Sequence, residues 1–252
     1  MTIDAPGKIH ISQLKALWYE AFGDTDTFIS GFFSTAFHPD RCRCLLKNDA
    51  VAAALYWFDC LWNGQKIAYL YAVATAKSHR GHGLCHALMS DTHRHLASLG
   101  YVGAILVPGS PELFSFYAKM GYQVCGYVRN FSCIASSETV PIRPVSAEEY
   151  APLRRRFLPE NAVIQERENL AFLQTYAALY AGSDFLLAAC GDGETLCVSE
   201  ILGDTHSASA IVHTLGFSQG TFRAPGDIDP FAMYFPLDPA AVPPAYFGLA
   251  FD

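Results

Sequence analysis

No stretch of this chain reaches the ~18 uninterrupted apolar residues that crossing a bilayer requires, and its first residues lack a charged segment followed by an apolar one. The expectation is a soluble cytoplasmic protein with no membrane partner. Basic excess is missing as well. The formal net charge of -7 speaks against a broad nucleic-acid surface, which needs clustered Lys and Arg. Eight cysteines are present, yet none forms a Cys-x-x-Cys pair, and Cys42-Arg43-Cys44 is too tightly spaced for a tetrahedral zinc knuckle. Cys60, Cys125, Cys190 and Cys197 stand inside apolar runs and read as reduced thiols. Charge is sparse, at 16% against 51% hydrophobic residues, so the 252-residue chain buries a sizeable core as one large domain or two small ones.

What is present alternates between helical and strand periodicity. Ile11, Leu14, Leu17, Trp18, Ala21 and Phe22 recur at helical spacing after Ser12, a candidate cap, and Gly23 closes the pattern. A second stripe, Phe28, Ile29, Phe32, Phe33 and Ala36, ends near Pro39. Strand-like runs follow at 42–47, 50–60 and up to Thr75, turned by Asn48-Asp49 and by Asn63-Gly64, the strongest short hairpin signal. A helix is expected from Gly83 to about Leu99, with Gly100 at its C-terminus. Then come a buried strand at 101–107, a short helix opened by Ser110-Pro111-Glu112 and ended at Met120-Gly121, and a strand from Tyr122. This order gives a mixed α/β layer arrangement.

The loop Ser78-His79-Arg80-Gly81-His82-Gly83-Leu84-Cys85-His86 lies between a buried strand and a helix. Glycines there let backbone N–H groups approach an anion, and the first-turn amides and helix dipole favour phosphate. His82, His86 and His93 fall near one helical face and could bind zinc, but no carboxylate shares that face and Asp91 points away. No metal is expected. A dinucleotide site lacks its third glycine, and no Gly-Lys-Ser/Thr marks a P-loop.

Arg80-x-x-Gly83-x-Cys85 between strand and helix resembles the coenzyme A signature of the GNAT N-acetyltransferases, and Phe116-Tyr117-Ala118-Lys119-Met120-Gly121-Tyr122 is similar to that family's second signature. Cys85 departs from the family's last Gly or Ala, and Ser110 stands where many members carry Asn. The resemblance covers about residues 8 to 135. It implies a GNAT-like acyl-CoA N-acyltransferase fold and acetyl-CoA as co-substrate, held by Arg80, Gly81, His82, Gly83, Leu84, Cys85 and His86 around the pyrophosphate. Val73, Ala74 and Thr75 would pair with the pantetheine amides, and Ser110 would add a polar contact. Tyr117 is the implied proton donor to the departing thiolate. The acceptor would be a small-molecule amine or a peptide N-terminus. Candidate bases are Asp252 or its α-carboxylate, Glu20, Asp59, Glu200 or water, and Glu20, Asp59 and Glu200 read more naturally as solvated surface groups or hairpin ends. A non-catalytic acetyl-CoA sensor and a histidine-cluster metal hydrolase stay open as alternatives.

The second half begins again like the first. Ser146-x-x-Glu149 is a capping box ahead of Tyr150, Leu153 and Phe157. A helix is expected over 169–180, a hairpin over 185–202 turned at Gly191-Asp192-Gly193, and a helix through Ala208, Ile211, Val212 and Leu215. Leu215-Gly216-Phe217 echoes Met120-Gly121-Tyr122. The reading is two tandem copies: a catalytic domain over 1–138 and a degenerate GNAT-like domain over 139–252. The second lacks the Arg-x-x-Gly signature and presents acids over Glu200-Ile201-Leu202-Gly203-Asp204, where they would repel a phosphate. The apolar tail before Asp252 is expected to dock rather than fray.

Overall fold

Asn63 and Gly64, both at positive φ (48° and 76°), turn one long buried strand back on another. The computed structural model describes residues 1–251, and they pack as two units, Met1–Gln123 with Tyr234–Pro243, and Val124–Met233 with the segment from Pro244.

In the first unit the elements run β1 (Thr2–Asp4), α1 (Ile11–Phe22), α2 (Asp26–Thr35), β2 (Cys42–Lys47), β3 (Ala50–Trp62), β4 (Gln65–Thr75), α3 (Leu84–Ser98), β5 (Gly103–Leu106) and α4 (Pro111–Ala118). The strands lie side by side in chain order from β1 to β5. All neighbours are antiparallel except β4 and β5, which are parallel and joined through α3. Gly23 ends α1 in the left-handed conformation (φ 75°), as its position after the apolar stripe predicts. Ser12 is inside α1 and does not cap it, because a short 3₁₀ turn over Lys8–His10 precedes the helix. Thr25 caps α2 by accepting from the Phe28 amide at 3.2 Å. The stripes of α1 and α2 meet β3 and β4 through rings: Trp18 lies 4.8 Å from Phe32 and 5.3 Å from Tyr56, and both Trp18 and Phe32 are buried. Such contacts add about 0.5–1.5 kcal/mol each beyond area burial.

The second unit is built from β6 (Gln123–Ile134) after its first residue, β7 (Arg143–Pro144), α5 (Ala147–Phe157), β8 (Ile164–Gln165), α6 (Glu168–Leu173), β9 (Ala178–Ala181), β10 (Phe185–Asp192), β11 (Thr195–Gly203), α7 (Ala208–Thr214), β12 (Gln219–Pro225) and the part of β13 (Asp229–Pro236) up to Met233. The expected capping box is present: Ser146 accepts from Glu149 N, and the Glu149 carboxylate accepts from Ser146 N. The helix expected over 169–180 stops at Leu173, and 178–181 is instead β9, paired antiparallel with β10 and β7. Tertiary pairing overrides local periodicity here, since Leu179 and Ala181 are buried by the sheet.

The two units repeat one plan. β1-α1-α2-β2-β3-β4-α3-β5 in the first corresponds to β7-α5-α6-β9-β10-β11-α7-β12 in the second, and the strand order β7-β9-β10-β11-β12 matches β1 to β5. The last pair is parallel in both. The central hairpin is irregular in both, between Ala54 and Tyr56 and between Ala188 and Ala189. Beyond the plan's last strand, the first unit takes in Tyr234–Pro243 from late in the sequence. Tyr234 of β13 sits against β5, its ring over Gly103 and its hydroxyl donating to Val102 O at 3.2 Å, while β6 pairs antiparallel with β12.

Candidate active site

The candidate site lies where β4 parts from β5. Their pairing covers only Ile67–Tyr69 against Gly103–Ile105. Past that point β4 carries a bulge: Tyr56 faces Tyr71 and Ala54 faces Ala74, so Ala72 and Val73 form the extra length. Ala72 has φ 47°, a left-handed backbone for a residue with a Cβ, costing about 1–2 kcal/mol. A bulge turns the strand and frees backbone groups. Val73, Ala74 and Thr75 follow directly, and Ala74 and Thr75 are paired only toward β3. Nothing in the sequence singles out Ala72, because the bulge exists only through pairing with β3.

The loop after β4 is fastened at its start. Glu20 of α1 accepts from the Lys77 amide at 2.5 Å, and Arg80 Nε donates to Thr75 O at 3.1 Å. The His82 ring Nδ1 lies 2.9 Å from Arg80 O. Gly81 (φ 78°) and Gly83 (φ 74°) take left-handed conformations that glycine adopts at no steric cost. The first helical bond is Ala87 N to Gly83 O. Among the described residues, no acceptor meets the amides of Gly81, His82, Gly83, Leu84, Cys85 and His86. Open amides at the start of a 15-residue helix make a ready anion cradle. Arg80, His82 and His86 are exposed around it.

Tyr117 is held by α4 and is 7% exposed, its ring 5.7 Å from Tyr122 and 5.3 Å from Phe116. Burial first, and the Cys85 thiol second, push its phenol well above the ordinary value, which also places it beside the first turn of α3. No hydrogen-bond partner meets its hydroxyl among the described residues. Burial lifts the Cys85 thiol to about 11, so it stays protonated. Ser110 precedes α4 but does not cap its amides. The Glu112 carboxyl that follows has a lowered pKa, with the nearby Ser110 hydroxyl as the largest cause.

His93 is set apart from the other two histidines. It is 8% exposed, its Nε2 is 2.7 Å from the Tyr122 hydroxyl, and its ring stacks on Phe235 at 4.1 Å. Among the described residues, no group of three or more His, Cys, Asp or Glu side chains is arranged to hold a metal ion. Burial, and then His86, lower the His93 pKa to about 4. A histidine that stays neutral when folded but titrates near 6.5 when unfolded leaves the unfolded state binding more protons between those values. Stability is therefore fully present above pH ~6.5 and falls as pH drops toward ~4, by up to about 3 kcal/mol. Urea unfolding at pH 7 and pH 5 checks this: the wild type loses stability between them, and His93→Gln removes most of that loss. A cleft of about 340 Å³ adjoins the cradle along α3, lined by His86, Met89, His93 and Phe235 among others.

The candidate bases divide. Glu20 is engaged by Lys77 N, and Asp59 accepts from the Tyr101 hydroxyl and pairs with Arg41 at 3.5 Å. Glu200 is no solvated acid: it is fully buried in the second unit, in an ion pair with Arg154. Asp252 lies outside the described residues. The second unit's counterpart of the cradle is closed by its own side chain. Asp204 accepts from His206 N at 2.9 Å and from the Ser207 hydroxyl at 2.7 Å, ahead of α7.

Residues 3–125 match the family model described as an acetyltransferase (GNAT) domain. This segment belongs to the GNAT acetyltransferase family, and the match supports acyl transfer as the activity. A GCN5-related N-acetyltransferase from Kribbella flavida superposes with a TM-score of 0.70 at 15% identity, over 94% of this chain and 71% of its own. One from Anabaena variabilis gives 0.70 at 16%, over 94% and 73%. A tandem GNAT protein from the clavulanic acid biosynthesis pathway gives 0.58 at 11%, over 95% and 99%. At these identities the likeness is one of fold, and it runs through both halves of the chain. A search of curated proteins finds no match. No helix among the described residues is long and apolar enough to cross a membrane.

Proposed function

We propose that the first unit is an N-acetyltransferase that moves the acetyl group of acetyl-CoA onto a primary amine by direct attack. The observation that carries this is the run of open amides from Gly81 to His86, ahead of α3 and beside a buried, protonated phenol. Acetyl-CoA supplies an activated thioester, a diphosphate and an amide-bearing arm. The residues present fit those parts. The amides of Gly81 to His86, with Arg80 at the rim, hold the diphosphate. Val73, Ala74 and Thr75 offer backbone groups to the arm where β5 no longer pairs with β4. The bulge at Ala72 turns an amide toward the thioester carbonyl and stabilises charge developing on its oxygen. Ser110 lies at the start of α4 as a further polar contact, and the cleft along α3 gives room for the nucleoside end.

Positioning contributes most of the rate, because an amine held at attack distance needs no covalent enzyme intermediate. The amine nitrogen bonds to the thioester carbon and gives its surplus proton to water; as the C–S bond breaks, Tyr117 donates its hydroxyl proton to the leaving sulfur and is reprotonated from solvent. The second unit takes no part in the chemistry, since Asp204 occupies the amide that would otherwise face an anion. The acceptor is a small-molecule amine or a peptide N-terminus, and the site needs no metal.

Release of free thiol from acetyl-CoA, measured across a panel of primary amines and short peptides, tests the reading. Turnover that depends on one class of amine is the expected result. Gly83→Val should weaken acetyl-CoA binding about tenfold or more, because a left-handed backbone with a β-branched side chain costs at least about 1–2 kcal/mol and misaligns the amides. Tight acetyl-CoA binding with no turnover on any amine would replace catalysis by a sensor role. No binding at all would remove both.

A further inference from the structure

Cys190 on β10 and Cys197 on β11 are directly opposite each other in the hairpin of the second unit. Antiparallel partners have Cα atoms about 4.5–5.5 Å apart, inside the ~4.4–6.8 Å range that a disulfide spans. Both side chains leave the sheet on the same face. Leu196 and Val198, the neighbours of Cys197, point the other way into the core with Leu187 and Ala189. Both thiols are free and only half-buried. The hairpin ends two residues beyond Cys190, at a turn through Gly193 (φ 58°), so this end of the ladder can adjust to a shorter crosslink.

The other thiols lack this arrangement. Cys42 and Cys44 are fully buried on one strand, two residues apart, and Cys60 and Cys133 face Ile67 and Gly220. Cys85 is taken up beside Tyr117, and the Cys125 thiol donates to Ala232 O at 3.6 Å. The candidate site of the first unit uses neither Cys190 nor Cys197.

We propose that Cys190 and Cys197 form a dithiol site that low-molecular-weight disulfides oxidise to a cross-strand disulfide and that trivalent arsenicals occupy as a chelate. Oxidation balances in two exchanges. One cysteine, as thiolate, attacks an oxidised glutathione sulfur and releases one glutathione thiolate. The second, losing its proton to solvent, attacks the protein sulfur of that mixed disulfide and releases the other. The protein loses two protons and two electrons, and one oxidised glutathione becomes two reduced. A short crosslinked loop in an existing hairpin restrains the unfolded chain and stiffens this end of the sheet. Exchange speeds up as pH rises, because only the thiolate attacks.

The test uses the full chain under native conditions. Excess oxidised glutathione is added, remaining thiols are alkylated, and intact mass and peptide mapping follow. The expected product has lost two hydrogens and links the peptides that contain Cys190 and Cys197, and dithiothreitol reverses it. Cys190→Ser and Cys197→Ser should each stop at a glutathione adduct on the remaining cysteine and should lose the one-to-one binding of phenylarsine oxide. Circular dichroism confirms that these variants are folded. A disulfide mapped to any other pair overturns the proposal. So do arsenical binding that survives both substitutions and a native protein in which both thiols alkylate freely yet never crosslink.

Discussion

Tyr117→Phe lowers kcat for amine acetylation by about 100-fold and leaves the affinity for acetyl-CoA within about twofold. The expectation follows from how the residue is held. The phenol is 7% exposed, ringed by Phe116 and Tyr122, and no described residue accepts from its hydroxyl. Phenylalanine keeps that packing, so stability should move by no more than about 0.5 kcal/mol. What disappears is the proton available to the leaving sulfur. Because burial raises the phenol well above its usual value of about 10, the wild type keeps this acid through neutral and mildly alkaline pH. The wild-type kcat should show no loss from this group up to about pH 10. Steady-state kinetics with separate kcat and KM checks the claim. An unchanged kcat in a folded variant would reduce Tyr117 to a packing residue.

The largest expected effect on stability lies in the second unit. Arg154 and Glu200 are joined by two hydrogen bonds, Nε to Oε2 at 2.6 Å and Nη2 to Oε1 at 2.8 Å, with neither side chain more than 2% exposed. Tyr246 donates to the same carboxylate at 3.0 Å. Gln165 reaches the backbone of Leu249 from both ends of its amide, at 2.6 and 3.1 Å, and so ties the closing segment of the chain into the network. Glu200→Gln leaves Arg154 as a buried charge without a counter-ion and should destabilise the protein by about 3–5 kcal/mol in urea unfolding. Replacing both members with methionine should cost less than removing either alone, since desolvating the pair offsets much of its attraction. Strict additivity in that double-mutant cycle would show the two side chains to be uncoupled.

Hairpins, glycine stops and the helix that follows the glycine loop are local matters, and local sequence decided them. Asn63-Gly64 turns the chain, Gly23 stops α1 and Ser146 with Glu149 opens α5, because each acts within a few residues of itself. The same holds for the loop from Arg80 to His86, whose glycines and adjoining helix leave its amides open whatever packs elsewhere. The repeat between halves was legible for a similar reason, in the order of apolar periods. Long-range pairing decided the rest. The bulge at Ala72 exists only against Ala54 and Tyr56, and the strand at 178–181 only against β10. Glu200 reads as a surface acid until Arg154, 46 positions earlier, is packed onto it. A charge, a bulge or a pair of facing thiols takes its character from neighbours distant in sequence, and those neighbours are fixed by burial and register, which no single segment carries.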